Sequence, residues 1–440
     1  MTSGVSTMSR EIVVGTIDKY DWVQLGGAIK HPEVGKIVIV DEDIREKTGV
    51  EDASLKIIPS NGYGNIIKLR NLIDSEKPDA ILHFTDPHYW RWLYEAEHEI
   101  RQNIPILYYH VWDNIPDPIY NRDYYESCDW IGCISKQTYG IVRRVSSSTE
   151  SHTYKPLLPN QVSYVPHGIN SETFKPLDVV SDETKSVVYN GKEYDFILFF
   201  NNRNIRRKQP SDIIHSYKLF CDSLPKEKSE RCLLLMHTTP VDPNGTDLNE
   251  VIKHICPMYE VRFTHSKFEQ DQLNEIYNLV DCTINIANAE GFGLGTAESL
   301  MSGTPIIVNV TGGLQDQCGF NYDAEDYIDK VPSLNKKNLF SNEPHGEWVV
   351  PIWSSVNSLA GSSVTPFIYE DKVSIEDVVS AIRTVYDWGR DERKRRGGVG
   401  REFALNNLSS KVMCDLISKG IDETIANFKP RKKYDLYKIV

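Results

Sequence analysis

The chain has 440 residues, 40% of them hydrophobic and 25% charged, and a formal net charge of −13. That length suits two domains better than a single core, and the composition is that of an ordinary soluble globular protein. The acidic balance argues against broad contact with nucleic acid unless a local basic patch supplies it, and no apolar run approaches the ~18 residues of a membrane span.

The eight cysteines are scattered with no CxxC pair, so neither a disulfide framework nor metal ligation is expected. Cys128 and Cys133 flank an apolar strand and read as core. The chain starts short and polar, without a basic-then-apolar leader, and a cytoplasmic location is the expectation.

In chain order, the first part alternates short apolar runs with helical patterns. Strands are predicted at 12–15, 36–40, 80–84, 105–109 and 130–134, while Ile66, Ile67, Leu69, Leu72 and Ile73 recur at helical spacing. Such β-branched runs separated by helices predict a parallel sheet covered on both faces. Gly15-Thr16 closes the first strand, and Gly26-Gly27 falls late, within the helix that follows. Asp41-Glu42-Asp43 reads as loop acid or a helix start, not as a metal triplet. The run from His83 to Trp90 ends a strand and combines His83 and His88 with Phe84, Tyr89 and Trp90 around Asp86; a proline and a turn there disfavour a metal ligand set. His110 ends the fourth strand and precedes Asp113.

The unit closes with Phe174-Lys175-Pro176, and polar residues 181–185 read as a linker. A second alternation follows, with strands predicted at 196–200, 233–236, 260–263, 282–287 and 305–308. A basic loop, Asn201-Asn202-Arg203-Asn204-Ile205-Arg206-Arg207-Lys208, comes at the carboxyl end of its first strand. From about residue 375 the pattern is helical, ending in a basic tail from Lys429 to Lys433. The stretch 341–365, with Trp348 and Trp353, fits no element and stands as a lid or a partner surface.

The most informative stretch is Glu290-Gly291-Phe292-Gly293-Leu294-Gly295-Thr296-Ala297-Glu298. Strand, glycine turn and helix N-terminus together aim unpaired N–H groups at one spot, an anion site. Carboxylates beside such a site suit hydroxyl groups, such as those of a sugar and a ribose, with the amides holding a diphosphate between them.

This stretch, with the Gly303-Thr304-Pro305 turn after it, resembles the donor site of GT-B retaining glycosyltransferases of the GT4-like group, whose signature is two glutamates with seven residues between them. The resemblance is best over about 162–313. It implies an α/β GT-B architecture of two Rossmann-like doubly wound domains facing across a cleft. Residues 1–180 would form the acceptor-side domain and 181–390 the nucleotide-sugar domain, with 391–440 a helical segment crossing back. It further implies that Arg203 and Lys208 hold the donor diphosphate and that Glu290 binds sugar hydroxyls. Glu298 would bind the ribose, and the amides of Gly291, Phe292, Gly293 and Leu294 would line the donor. His110 would touch the donor sugar, Gly15 and Thr16 would sit near the donor phosphates, and Asp86, His88, Trp90 and Asp113 would form the acceptor side.

The implied reaction is retaining, metal-independent transfer from a UDP- or GDP-sugar to a hydroxyl, with no other cofactor. A diphosphate leaves readily as an anion, so fixed positive charge can replace the strong acid of a glycosidase. The acceptor stays open between a glycan, a small molecule and hydroxymethylated DNA, the last because some phage enzymes share the architecture. A GT-B nucleotide-sugar epimerase and a non-catalytic sugar sensor are the other classes.

Overall fold

In a computed structural model of the chain, residues 4–28, 30–147, 157–264, 268–329, 343–363 and 365–432 are described. The second half holds a six-stranded parallel sheet, in the spatial order Val261–Phe263, Cys232–His237, Phe196–Asn201, Cys282–Asn285, Ile306–Asn309 and Val349–Ile352. Its strands are β8 (Phe196–Asn201), β9 (Cys232–His237), β10 (Val261–Phe263), β11 (Cys282–Asn285), β12 (Ile306–Asn309) and β13 (Val349–Ile352). The central strands are almost wholly buried because helices cover both faces, which is why they read as unbroken apolar runs. Sequence order runs outward from β8 on one side and from β11 on the other. The crevice between them, at the carboxyl ends, is the place where ligands enter sheets of this kind.

The first half carries a parallel sheet of β4 (Ile81–Phe84), β5 (Ile106–His110), β6 (Trp130–Cys133) and β7 (Val162–Tyr164). Beside it stands a separate group of three strands. In it β1 (Trp22–Gly26) pairs parallel with β3 (Leu55–Pro59), and β2 (Val38–Ile39) runs antiparallel to β3. Residues 12–15 are not the first strand. They end a helix, Gly4–Gly15, because Met8 and Ile12 fall four apart on a buried face.

Two further readings need correction. Gly26-Gly27 closes β1 rather than lying inside a helix. The expected linker at 181–185 is the start of helix Asp182–Tyr189, where the Ser181 hydroxyl accepts from the Thr184 amide and caps the first turn. Asp41, Glu42 and Asp43 occupy the first turn of helix Asp41–Thr48, where their charge complements the helix dipole.

The last two helices tie the halves together. Gly389–Asn407 packs on the second half, where Gly397 lies so close to Gly303 that a Cβ would stand 1.9 Å from its carbonyl oxygen. Ser410–Asn427 packs on the first half, with Cys414 against Gly15 and Gly420 against the Trp130 ring.

A second tie is an antiparallel hairpin of β14 (Val356–Ala360) and β15 (Ile368–Lys372), built largely from the stretch that fits no element in the sequence. The Tyr369 amide donates to the Ile115 carbonyl at 2.7 Å, Asn114 Nδ2 donates to the Tyr369 carbonyl at 3.0 Å, and Tyr120 donates to the Phe367 carbonyl at 3.0 Å. Residues 341, 342 and 364 of that stretch, and Lys433 of the basic tail, lie outside the described residues. Among the described residues no helix is long and apolar enough to cross a membrane.

Candidate active site

The two loops singled out in the sequence lie side by side, because β8 and β11 are neighbours. The loop after β8 turns through Arg206–Lys208 and enters helix Pro210–Asp222, with proline at its first position. Asn204 anchors this loop. It is fully buried, its Nδ2 reaching the carbonyls of Thr239, Pro240 and Thr246 and its Oδ1 accepting from the Thr246 amide.

Lys208 Nζ and Glu290 Oε2 form a buried ion pair, and Asn285 Nδ2 adds a hydrogen bond to the same oxygen at 3.3 Å. Burial pushes the Lys208 ammonium down, with Glu290 opposing. Burial also works against the Glu290 carboxylate, but Lys208 and Arg207 outweigh it and hold the acid below the usual range. Arg207 extends the cluster, donating from Nη1 to the Ala289 carbonyl and standing 3.9 Å from Asp113.

Asp113 belongs to the first half, so this contact crosses the cleft. The backbone crosses it too: a Cβ on Gly291 would lie 3.1 Å from Ile134 Cδ1 and 3.3 Å from the Val111 carbonyl. Burial raises the Asp113 carboxyl, with Arg207 opposing. Gly312 and Gly313 press on the glutamate loop from below, the Gly313 amide donating to the Glu290 carbonyl at 2.9 Å. A Cβ on Gly313 would meet the Gly291 carbonyl at 2.2 Å, so no larger residue fits.

Gly293 has φ +91° and caps helix Leu294–Met301, whose first amides have no carbonyl of their own helix to donate to. Gln317 Nε2 fixes the turn by donating to the carbonyls of Phe292, at 2.7 Å, and Gly293, at 3.1 Å. The Phe292 ring is buried against His167. Glu298 lies one helical stretch further on, buried, with Oε2 accepting from the Tyr277 hydroxyl at 2.8 Å. Burial lifts its pKa to about 7, with Tyr277 pulling the other way.

Other expected residues sit elsewhere. Arg203 is directed to Asp242, with Nε to Oδ2 at 2.8 Å, and is exposed. Asp86 and His88 meet at the end of β4, Nδ1 to Oδ1 at 2.5 Å; burial opposes ionisation of Asp86, but the His88 hydrogen bonds leave it lowered. Trp90 lies under the Gly27 turn, its ring 3.0 Å from where a Gly27 Cβ would stand, with Nε1 buried.

Three expected placements are corrected. His110 is fully buried, its Nδ1 at 2.8 Å from the Tyr108 hydroxyl and its Nε2 at 2.8 Å from that of Tyr125, so neither nitrogen is left for a sugar. Gly15 is wedged against Cys414, and the Thr16 hydroxyl binds the Ile12 carbonyl, so neither reaches the crevice. The glycine pair at a first-half strand end is instead Gly26-Gly27. Sequence reasoning missed Asn204, Asn285, Tyr277 and Gln317, whose roles depend on contacts between distant segments. Gly312-Gly313 was more accessible, since a glycine pair just after an apolar strand is a turn signal.

No family model matches the chain. The D-inositol 3-phosphate glycosyltransferase of Xylanimonas cellulosilytica is 26% identical over 160 residues, a match covering 36% of this chain and 36% of that protein's length. Solved structures match over nearly the whole length. A glycosyltransferase from Rickettsia africae superposes with a TM-score of 0.65 at 14% identity, covering 97% of this chain and 96% of that one. HepE from Anabaena, in complex with UDP and glucose, gives 0.62 at 10% identity, with 96% and 97% covered. The sucrose-phosphate synthase of Thermosynechococcus elongatus gives 0.62 at 13%, with 96% and 94% covered. The fold is GT-B. The paired loops of Lys208 and Glu290 stand at the crevice between β8 and β11, at the carboxyl ends of the second-half sheet.

Proposed function

We propose that this GT-B chain is a glycosyltransferase that takes a sugar from a nucleoside diphosphate and passes it to a hydroxyl acceptor. The observation that carries the reading is the buried Lys208–Glu290 pair at the crevice between β8 and β11, beside glycine-turn amides and within reach of the opposite lobe. A cation and a carboxylate that neutralise each other are suited to a ligand bearing both an anion and hydroxyls. The diphosphate draws Lys208, and the sugar hydroxyls take its place at Glu290.

In this reading 1–180 carries the acceptor and 181–390 the donor, with 391–440 joining them. Arg207 and Lys208, joined by Arg203 once it leaves Asp242, offset the charge that grows on the leaving diphosphate, and the amides of Gly293 and Leu294 add to it, so the reaction needs no metal. Glu298 takes the ribose hydroxyls. Asp113 stands closest to the transferred sugar on the acceptor side, with Asp86 and His88 further along that wall. Transfer with retention follows the GT4-like pattern of the two glutamates. The eight cysteines, all free and buried, fit a reducing compartment.

The test is release of nucleoside diphosphate from UDP- and GDP-sugars, with and without EDTA. Acceptor arms of glycans, small polyols and hydroxymethylated DNA then follow, and the anomeric configuration of the product is read by NMR. Transfer unaffected by EDTA and with the donor's configuration supports the reading. Interconversion of the sugar without transfer, or binding without turnover, replaces it with the epimerase or the sensor.

A further inference from the structure

Among the described residues no cation pairs with Glu298. Its Oε2 accepts from the Tyr277 hydroxyl at 2.8 Å, and that hydroxyl oxygen accepts from Asn201 Nδ2, also at 2.8 Å. The three residues come from three elements. Asn201 is the last residue of β8, Tyr277 lies in helix Gln270–Leu279, and Glu298 lies in helix Leu294–Met301. None adjoins another in sequence, yet they form one chain of donors leading to a single carboxylate oxygen.

The middle member cannot swing away. The Tyr277 ring is fully buried, held edge-on by Phe199 at 5.5 Å and Phe174 at 6.1 Å between ring centres. Its backbone carbonyl accepts from the Thr304 hydroxyl at 2.7 Å, which locks the end of the helix. No hydrogen bond within the described residues reaches the other carboxylate oxygen, Oε1.

We propose that Tyr277 is a positioning residue of the donor site: it holds one oxygen of Glu298 so that the other is presented to the nucleoside, and the preference for a ribonucleoside diphosphate over its 2′-deoxy counterpart depends on it. The proposal rests on the reading that Glu298 binds the ribose. A tyrosine suits the task because its hydroxyl donates to the acid while accepting from Asn201, so both of its hydrogen-bonding directions are used. A carboxylate with one oxygen pinned needs no reorganisation when a ribose hydroxyl arrives.

The relay also sets how the site responds to pH. Burial favours the neutral acid, and the Tyr277 hydrogen bond favours the carboxylate. The neighbouring elements add little. Helix Gly389–Asn407 brings Arg401, which donates to the carbonyls of Met301 and Phe174 at the far end of the Glu298 helix. Helix Gln270–Leu279 also carries Glu275, which faces Ser181 and Thr184, and Asp271, which faces solvent. Strand β11 brings the buried thiol of Cys282, β12 brings no titratable side chain, and β8 ends in the neutral Asn201. Tyr277 is thus the side chain that tips the acid toward its charged form.

The experiment is calorimetric titration of the full chain with UDP, GDP and their 2′-deoxy counterparts between pH 5.5 and 8.5, on wild type, Tyr277→Phe, Asn201→Ala and Glu298→Gln. For Tyr277→Phe we expect the ribonucleotide Kd to rise by roughly tenfold, about one charge-assisted hydrogen bond. The 2′-deoxy Kd should stay within about twofold, and the pH midpoint of ribonucleotide binding should move upward. Asn201→Ala should give the same pattern more weakly, and serves if Tyr277→Phe does not fold. Loss of both nucleotides in equal measure, or an unmoved pH midpoint, overturns the proposal. If Glu298→Gln loses the ribonucleotide preference while Tyr277→Phe keeps it, the proposal falls and the ribose reading stands. If Glu298→Gln binds like wild type, or neither UDP nor GDP binds wild type, the ribose reading falls and takes the proposal with it.

Discussion

Lys208 and Glu290 face each other in a pocket of the protein from which water is nearly excluded, so each is costly to leave alone. Replacing Lys208 by methionine keeps the volume but strands a buried carboxylate. The expected result is a loss of about 3 kcal/mol of stability in chemical denaturation, together with roughly tenfold or weaker nucleotide-sugar binding by calorimetry. The acid at Glu298 behaves in the opposite way. Its folded pKa, about 7, lies above the ordinary value of 4.5. The neutral acid therefore gives its full stability below pH 4.5 and loses it as pH rises through 7. Glu298→Gln removes this dependence, so the variant should gain on wild type between pH 5 and pH 8, by up to about 3 kcal/mol. Urea titrations at the two pH values check it; an unchanged difference would place the carboxyl in water rather than in the crevice. His110 illustrates the limit of reading residues singly: its strand-end position is visible in sequence, whereas the two tyrosine hydroxyls that occupy its ring are not.

Among elements, the β14–β15 hairpin is the clearest case of structure without a sequence pattern. Val356 and Leu359 are exposed on it, so it offers no continuous apolar face, and its register comes from partners far away in the chain. Asp371 is its anchor, buried and accepting from the Thr311 hydroxyl at 2.7 Å, with Asn357 on its other oxygen. Arg206 reaches the neighbouring Glu370 at 2.9 Å and couples the hairpin to the basic loop. Asp371→Ala should cost about 1–3 kcal/mol through the groups left unpaired. It should also speed hydrogen exchange in 356–372 and in 114–120, the loop the hairpin holds. Exchange unchanged at 114–120 would show that the hairpin does not tie the halves.

The central strands of the second half were legible because their burial on both faces leaves continuous apolar runs. So were the two loops at their ends, since glycine turns, acids and cations at strand ends are local signals. The helix Gly4–Gly15 was not. Ile12-Val13-Val14 is as β-branched as any strand, and tertiary packing decides between the two forms: Ile12 joins the cluster of Met8 and Cys414, and Val13 that of Ile44 and Leu55. That error displaced the glycine turn from Gly26-Gly27 to Gly15-Thr16.

At the scale of the whole molecule, the halves are joined through buried polar groups as well as apolar ones, and this fixes how the chain meets acid. His83, His110 and His167 are buried and neutral, their pKa values driven down by burial to about 3 from 6.5. Their contribution is full above pH 6.5, where folded and unfolded chains are both neutral, and is lost as pH falls toward 3, because only the unfolded chain gains the protons. Melting temperature should therefore fall steadily below about pH 6.5, and a variant with His167→Gln should fall less steeply. A profile flat to pH 4 would mean that these rings are solvated. His167 lies against both Tyr109 of the first sheet and Phe292 of the donor loop, so acid should loosen the cleft itself.

Binding of a nucleotide sugar in the crevice through Lys208 and Glu290 is the central proposal. Its most direct test is release of nucleoside diphosphate from UDP- and GDP-sugars by wild type, Lys208→Met and Glu290→Gln at matched, verified folding. The expected result is turnover of one donor by wild type and loss of at least roughly a hundredfold in kcat/KM in both variants, two to three kcal/mol of transition-state stabilisation. Full activity in either variant would contradict it.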